Sequence, residues 1–218
     1  MTDLVYHTQN FVGRCLLRAF ANWRVEGIEN VPKHGPLLVV ANHLSNIDPG
    51  LLGSGVPLRM RFLAKSSLFQ WGLGFYLRKY GAFPADRNGR DLEAFRWARD
   101  LLRRDGVIAM FPESTRNPEG MGRAVPGAAL LAIRTRARIL PVGISGSSHL
   151  GPVWRIFFPT GNITVRIGRP FSLPEIDGKV ERGELQSLAD SIMYHVADLI
   201  PKDLRGVYAQ SDRGPADK

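Results

Sequence analysis

The stretch Leu37-Leu38-Val39-Val40-Ala41-Asn42-His43-Leu44-Ser45-Asn46-Ile47-Asp48 holds both a fold signal and a chemical one. Five apolar residues in a row, without polar alternation, predict a strand buried on both faces, as in a parallel sheet. The strand runs into a polar turn carrying an imidazole, and a carboxylate follows five positions later. Neutral imidazole takes a proton from an alcohol near pH 7 when a partner on its other ring nitrogen fixes the tautomer and stabilises the imidazolium that forms. Asp48 is the candidate partner of His43. The same residues also read as a Ser45-x-x-Asp48 capping box opening a short helix near Pro49, with His43 an ordinary loop residue. Both readings stand at this point.

Outward from this stretch, Val107-Ile108-Ala109-Met110 is a second apolar run, and it too ends in a polar block, Phe111-Pro112-Glu113-Ser114-Thr115-Arg116. Further strands are predicted at 61–64, 82–83, 139–144 and 163–167. The clearest helix spans 91–104, with Asn88 as its cap and Asp91 three residues on. Leu92, Phe95, Ala98 and Leu102 form its core stripe, and Gly106 ends it. Two more helices are expected at 126–136 and 185–199. Such alternation predicts an α/β domain with a mixed, largely parallel central sheet covered by helices. The polar blocks then fall at carboxyl ends of strands, where open α/β sheets bind ligands. Residues 65–80 interleave Phe69, Trp71, Phe75 and Tyr76 with Lys65, Arg78 and Lys79, which reads as a core-facing helix or as an acyl or membrane contact.

With 218 residues, 44% of them hydrophobic, the chain supports one catalytic domain, expected over 25–208. A segment at 1–24 places Leu4, Val5, Phe11, Val12, Cys15, Leu16, Phe20 and Trp23 at helical spacing beside Arg14 and Arg18. That pattern fits an interfacial amphipathic helix and a helix covering the core equally. Residues 209–218 read as a frayed polar tail. A net charge of +9 favours anionic partners, and without a recognisable reader module nucleic acid is not among those expected. One cysteine, Cys15, leaves no intramolecular disulfide, and no C-x-x-C or H-E-x-x-H pattern supports a metal. Neither G-x-S-x-G, a phosphate-binding P-loop nor G-x-G-x-x-G occurs, so serine-hydrolase, nucleotide-hydrolase and dinucleotide readings fall away. No apolar run approaches the ~20 residues that span a bilayer, and the start lacks a signal-peptide pattern. A cytoplasmic setting is the expectation.

Four blocks in order, Asn42 to Asp48, Gly81-Ala82-Phe83-Pro84-Ala85-Asp86-Arg87, Phe111 to Arg116, and Ile139-Leu140-Pro141-Val142-Gly143-Ile144, resemble the glycerolipid acyltransferases, the bacterial 1-acylglycerol-3-phosphate acyltransferases in particular. The resemblance covers about 27–168. It implies transfer of a fatty acyl group from acyl-CoA or acyl carrier protein to the free hydroxyl of lysophosphatidic acid, giving phosphatidic acid, with no cofactor or metal. His43 would be the general base and Asp48 the residue that orients it. Arg87 and Arg116 would grip the acceptor phosphate, and Glu113 would orient those arginines or meet the glycerol. Thr115 would offer a hydroxyl nearby, and Lys65 would meet phosphate or carrier. Ser114 stands where the family usually carries glycine, which bears on the acceptor head group. The resemblance also implies peripheral attachment to the inner face of the cell membrane. Two alternatives remain: a related acyltransferase acting on glycerol 3-phosphate, another lysophospholipid or a glycolipid, and a non-catalytic basic membrane-surface binding protein. The second leaves unexplained why His, Asp, Glu and Arg recur at strand ends.

Overall fold

The computed structural model of the protein describes residues 2–86, 91–176, 178 and 180–209. In chain order they form α1 (Thr2–Phe20), β1 (Ala21–Glu26), β2 (Leu37–Ala41), α2 (Asp48–Gly55), β3 (Arg61–Lys65), α3 (Trp71–Tyr80), β4 (Ala82–Ala85), α4 (Leu92–Leu102), β5 (Val107–Met110), α5 (Gly127–Thr135), β6 (Arg138–Ser145), β7 (Gly161–Ile167) and α6 (Arg182–Ala197), joined in places by 3-10 turns. The strands make one sheet in the order β1-β7-β6-β2-β5-β3-β4. β2 pairs in parallel with both β5 and β6, and β3 in parallel with β5 and β4. β7 is antiparallel to β6 and parallel to β1, so these two strands run against the others. The sheet is mixed and largely parallel, as the alternation of elements predicts.

The central position of β2 explains its composition. Leu37, Val39 and Ala41 face a core shared with Tyr6 and Leu17 of α1 and Leu51 and Leu52 of α2. Leu38 and Val40 face the opposite core, with Ala98 and Leu102 of α4, Leu131 of α5, and Ile192 and Val196 of α6. Each buried aliphatic side chain contributes about 1.5–3 kcal/mol. A polar residue anywhere in β2 would therefore damage one of the two layers.

Local readings differ from the structure at definable places. The helical spacing that carries through Trp23 stops at Phe20, because 21–26 is a strand with alternating burial, held by its parallel pairing to β7. That partner lies far away in sequence, so tertiary pairing overrides local periodicity. Helix α1 buries Tyr6, Asn10 and Leu17, and Tyr80 donates from its hydroxyl to Asn10 Oδ1 at 3.0 Å. Its other face leaves Leu4, Phe11 and Val12 exposed, so one helix has both a core-covering side and an unpartnered apolar side. The cap of α4 is Asp91, whose Oδ1 accepts from the Ala94 N–H at 2.9 Å; Asn88 lies outside the described residues. Ala94, Ala98 and Leu102 form the buried face of α4. Leu92 is exposed, because two residues along a helix turn the side chain to the opposite side. Strand β4 continues through Pro84 to Ala85, which its edge position tolerates, since a missing N–H there breaks no ladder. The helix expected over 65–80 is two elements, a 3-10 turn at Ser66–Phe69 and then α3. Of the expected tail, all but Ala209 lies outside the described residues.

Candidate active site

Strands β2 to β6 present their carboxyl ends to the same edge of the sheet. The chain leaves β2 for β3 and β4 on one side, returns through β5, and crosses to β6 on the other side of β2. Loops diverging from a central strand in this way open a crevice at its carboxyl end.

Asn42 closes the floor of that crevice. Its side-chain amide donates to the Ile144 carbonyl at 2.9 Å, and its Oδ1 accepts from the Ile144 N–H at 2.7 Å. The side chain thus extends the β2–β6 pairing beyond Ala41 and releases the backbone to turn at His43. On the β6 side the chain turns at Gly146, which has φ +80°, and a Cβ there would sit 1.8 Å from the Asn162 carbonyl oxygen. Only glycine fits. The turn brings Ser147 beneath Asp48.

His43 Nδ1 lies 2.9 Å from Asp48 Oδ2. That oxygen also accepts from the backbone N–H groups of Leu44 and Ser45, each at 2.7 Å. Asp48 Oδ1 accepts from Ser147 Oγ at 2.7 Å and from Ser45 Oγ at 3.3 Å. Asp48 is fully buried, in the first turn of α2. Of the Ser45-x-x-Asp48 capping box only the return bond from the Ser45 N–H to Asp48 forms: the N-cap of α2 is Ile47, without a side-chain cap, and Ser45 Oγ accepts from the Ile47 N–H, so the carboxylate ties down the loop and holds the imidazole rather than capping the helix. An ionised carboxylate only accepts, so the proton between the two belongs to Nδ1 and the lone pair of Nε2 is left available. The ring stacks on Phe111 with centroids 4.3 Å apart, and 17% of the His43 side chain remains exposed. A substrate hydroxyl can reach it.

Glu113 grips the backbone of the same residue. Its Oε1 accepts from the His43 N–H at 2.9 Å, and its Oε2 accepts from the Gly122 N–H at 2.7 Å and from Asn117 Nδ2. Asn117 in turn donates its N–H to the His43 carbonyl at 2.8 Å. Burial pushes the Glu113 carboxyl above the usual carboxylate range, outweighing the hydrogen bonds from Gly122, His43 and Asn117 that lower it. Both carboxylate oxygens thus face the scaffold, and no pairing with Arg116 forms.

Ser114 has φ +57°, in the left-handed region that favours glycine, inside a tight turn closed by its N–H to the Phe111 carbonyl at 3.0 Å. Thr115 and Arg116 are exposed. Arg116 donates to Asn46 Oδ1, and Asn46 donates on to the Gly151 carbonyl at 2.6 Å, so this guanidinium is anchored beside the His43 loop. Lys65 ends β3 on the same edge, exposed, with β5 between its strand and β2. Arg87 lies outside the described residues; its neighbour Asp86 accepts from Ser66 Oγ, joining the ends of β4 and β3. The fold therefore gathers His43, Asp48, Glu113, Ser114 and Arg116 and sets Lys65 two strands away. Asn42, Asn117 and Ser147 escape sequence reading, because their roles depend on strand pairing and on the turn at Gly146. Among the described residues no group of three or more His, Cys, Asp or Glu side chains could hold a metal ion.

Residues 22–145 match the acyltransferase family model. The chain is 26% identical over 182 residues to the 1-acyl-sn-glycerol-3-phosphate acyltransferase of Bacillus subtilis, covering 81% of this chain and 87% of that one. It is 32% identical over 158 residues to the enzyme of that name from Saccharomyces cerevisiae, covering 68% of this chain and 51% of the yeast protein. The crystal structure of the 1-acyl-sn-glycerophosphate (LPA) acyltransferase PlsC from Thermotoga maritima superposes with a TM-score of 0.71 at 28% identity, covering 91% of this chain and 79% of that one. The matched segment contains the β2 and β5 blocks whose side chains meet in the crevice, and this chain belongs to the acyltransferase family.

Proposed function

We propose that this acyltransferase moves a fatty acyl group from the thioester of acyl-CoA or acyl carrier protein to the free hydroxyl of lysophosphatidic acid, with His43 as general base and Asp48 as the residue that orients it. The observation that carries the reading is the buried, multiply bonded Asp48 on Nδ1 of a ring that stays partly exposed at the carboxyl end of β2. The acceptor hydroxyl gives its proton to Nε2 as its oxygen forms a bond to the thioester carbonyl carbon. Collapse of the tetrahedral intermediate breaks the C–S bond, and the leaving thiolate takes the proton from the imidazolium. Atoms balance with no covalent acyl-enzyme. Such base catalysis supplies about 10²–10⁴-fold. Arg116 is assigned the acceptor phosphate, to be bound by charge-assisted hydrogen bonds, as is Arg87 from the sequence; the bond from Arg116 to Asn46, beside the His43 loop, supports this reading.

The acceptor is drawn from a membrane surface in this reading, with the protein peripheral on the cytoplasmic face. No helix among the described residues is long and apolar enough to cross a membrane. Support for surface contact comes from Leu4 and Phe11 on the outer face of α1, from Phe20 at the end of that helix, and from Trp154, Phe157 and Phe158 after β6, all exposed. The Phe20 and Phe158 rings meet edge-on, 5.4 Å apart, tying the end of α1 to the second patch. The second patch follows the loop that Asn46 ties to the site. No acidic residue occurs between Asp3 and Glu26 or between Glu119 and Glu175, which suits an anionic surface.

The test is an acyl-transfer assay with acyl-CoA and acyl carrier protein donors against lysophosphatidic acid, glycerol 3-phosphate, other lysophospholipids and a glycolipid. Lysophosphatidic acid should give the highest kcat/KM, and Arg116→Ala should lower it by roughly 10–100-fold, as for one lost charge-assisted contact. Preference for another acceptor, or wild-type kinetics of the variant on every phosphorylated acceptor, overturns the assignment.

A further inference from the structure

The segment matched to the family ends at Ser145, two residues short of a side chain that touches the candidate dyad. We propose that Ser147 is a positioning residue for acyl transfer, fixing the Asp48 carboxylate so that Oδ2 alone is presented to His43. This rests on the reading of His43 as the base.

The argument starts from burial. Ser147 and Asp48 are both fully buried, and the Ser147 hydroxyl donates to Asp48 Oδ1 at 2.7 Å. The other contact to Oδ1, from Ser45 Oγ, is 3.3 Å long, and that hydroxyl also accepts from the Ile47 N–H at 3.4 Å. Oδ1 therefore depends chiefly on Ser147. The three short contacts on the opposite oxygen, from Leu44 N, Ser45 N and His43 Nδ1, come from the β2–α2 loop itself. Ser147 is the short contact that ties the carboxylate to a different part of the fold, the end of β6. Without it, the carboxylate can rotate about its Cβ–Cγ bond toward whichever donors remain, and the imidazole follows.

The placement of Ser147 is built rather than incidental. Asn42 locks β6 to β2 at Ile144, and Gly146 occupies a turn that excludes any Cβ. The Ser147 carbonyl then accepts from the Leu150 N–H at 2.9 Å, opening the 3-10 turn Ser148–Leu150, whose Leu150 is fully buried. The residue is held from both sides. The nearby charged and titratable groups are otherwise engaged: Glu113 with the His43 backbone, Arg116 with Asn46, and His149, through Nε2, with the Thr160 carbonyl.

The test compares Ser147→Ala, Ser147→Cys and Ser45→Ala with wild type in steady-state acyl transfer and in the proton NMR resonance of the His43 Nδ1–H, with thermal melting as the check on folding. For Ser147→Ala, kcat should fall on the order of tenfold, as for one lost hydrogen bond to a charged group, with KM for donor and acceptor within about twofold. The Nδ1–H resonance should move. The Cys variant, similar in size but a weak donor, should fall between, and Ser45→Ala should change kcat less than Ser147→Ala. If the alanine variant does not fold, the cysteine variant decides by the same criteria. A folded variant with unchanged kcat and resonance overturns the proposal, as does a change confined to KM. Loss of the proposal is distinguishable from loss of the base assignment: the former leaves His43→Ala inactive, and the latter leaves it active.

Discussion

The Glu113 carboxylate accepts a hydrogen bond at 2.9 Å from the backbone N–H of His43, the residue whose ring Asp48 holds at Nδ1. Main chain and side chain of the candidate base are thus clamped by separate carboxylates, one from the β5–α5 loop and one from the start of α2. A base must be held in a narrow range of positions to reach its proton, and two anchors on one residue restrict it more than either alone.

Removing the candidate base separates chemistry from packing. His43→Ala should abolish turnover while leaving the protein folded, with a melting temperature lowered only modestly, since the ring is partly exposed and Asp48 keeps its bonds from the Leu44 and Ser45 N–H groups and the Ser147 hydroxyl. Asp48→Asn should be about as damaging to kcat, because an amide stabilises the wrong tautomer and cannot stabilise imidazolium. It should also destabilise the fold, since Asp48 accepts from two backbone N–H groups and two hydroxyls. A folded His43→Ala protein with near wild-type kcat at saturating substrate would falsify the assignment.

Glu113 should reveal itself through stability as a function of pH. Burial holds its carboxyl above the usual range, so between the unfolded and folded values the native protein keeps a proton that the unfolded chain has released. Stability from this group is therefore greatest on the acid side and is lost as pH rises through that interval. Urea unfolding across the interval should show this slope in wild type and a flatter one in Glu113→Gln. Parallel lines would mean that the group does not titrate there. Glu113→Ala should cost roughly 1–3 kcal/mol for each buried donor left unpaired, and should lower kcat through the released His43 backbone.

Ser114 occupies a left-handed conformation in which a non-glycine residue is strained, at a cost of about 1–2 kcal/mol. Ser114→Gly relieves that strain but adds freedom to the unfolded chain, worth about 0.5–1 kcal/mol, so the melting temperature should rise slightly. If the hydroxymethyl group also contacts the acceptor, relative kcat/KM among acceptors should shift by more than overall activity. A lower melting temperature would contradict the strain argument, and an unchanged acceptor profile would remove this position from selectivity.

Membrane contact should respond to charge and to the outer face of α1. Sedimentation with vesicles should increase with anionic lipid content and decrease with salt. Phe11→Glu and Phe157→Glu, both at exposed positions, should weaken vesicle binding without lowering the melting temperature. Activity on bilayer-embedded acceptor should drop in these variants while activity on a short-chain soluble acceptor persists. Equal loss on both acceptors would place the membrane contact elsewhere.

Much of this protein follows from local pattern. An unbroken apolar run buried on both faces required a central parallel strand, and β2 is that strand. The spacing of His43 and Asp48 placed the imidazole and its carboxylate partner on one turn, since five residues around a helix start need no distant element to bring them together. The periodicity of α4 and α6 was legible for the same reason. Tertiary structure decided the rest. Residues 21–26 became a strand because β7 offered a partner, and a helical pattern carries no information about an edge waiting 140 residues away. The sequence left Glu113 with two roles, toward arginine or toward glycerol, and folding gave it a third, because the three donors that engage it come from the His43 backbone, Asn117 and Gly122. Ser147 meets Asp48 only because β6 lies beside β2 and Gly146 turns the chain beneath the carboxylate. Hydrogen bonds between elements far apart in the chain are fixed by register and turn geometry, and those are properties of the assembled sheet.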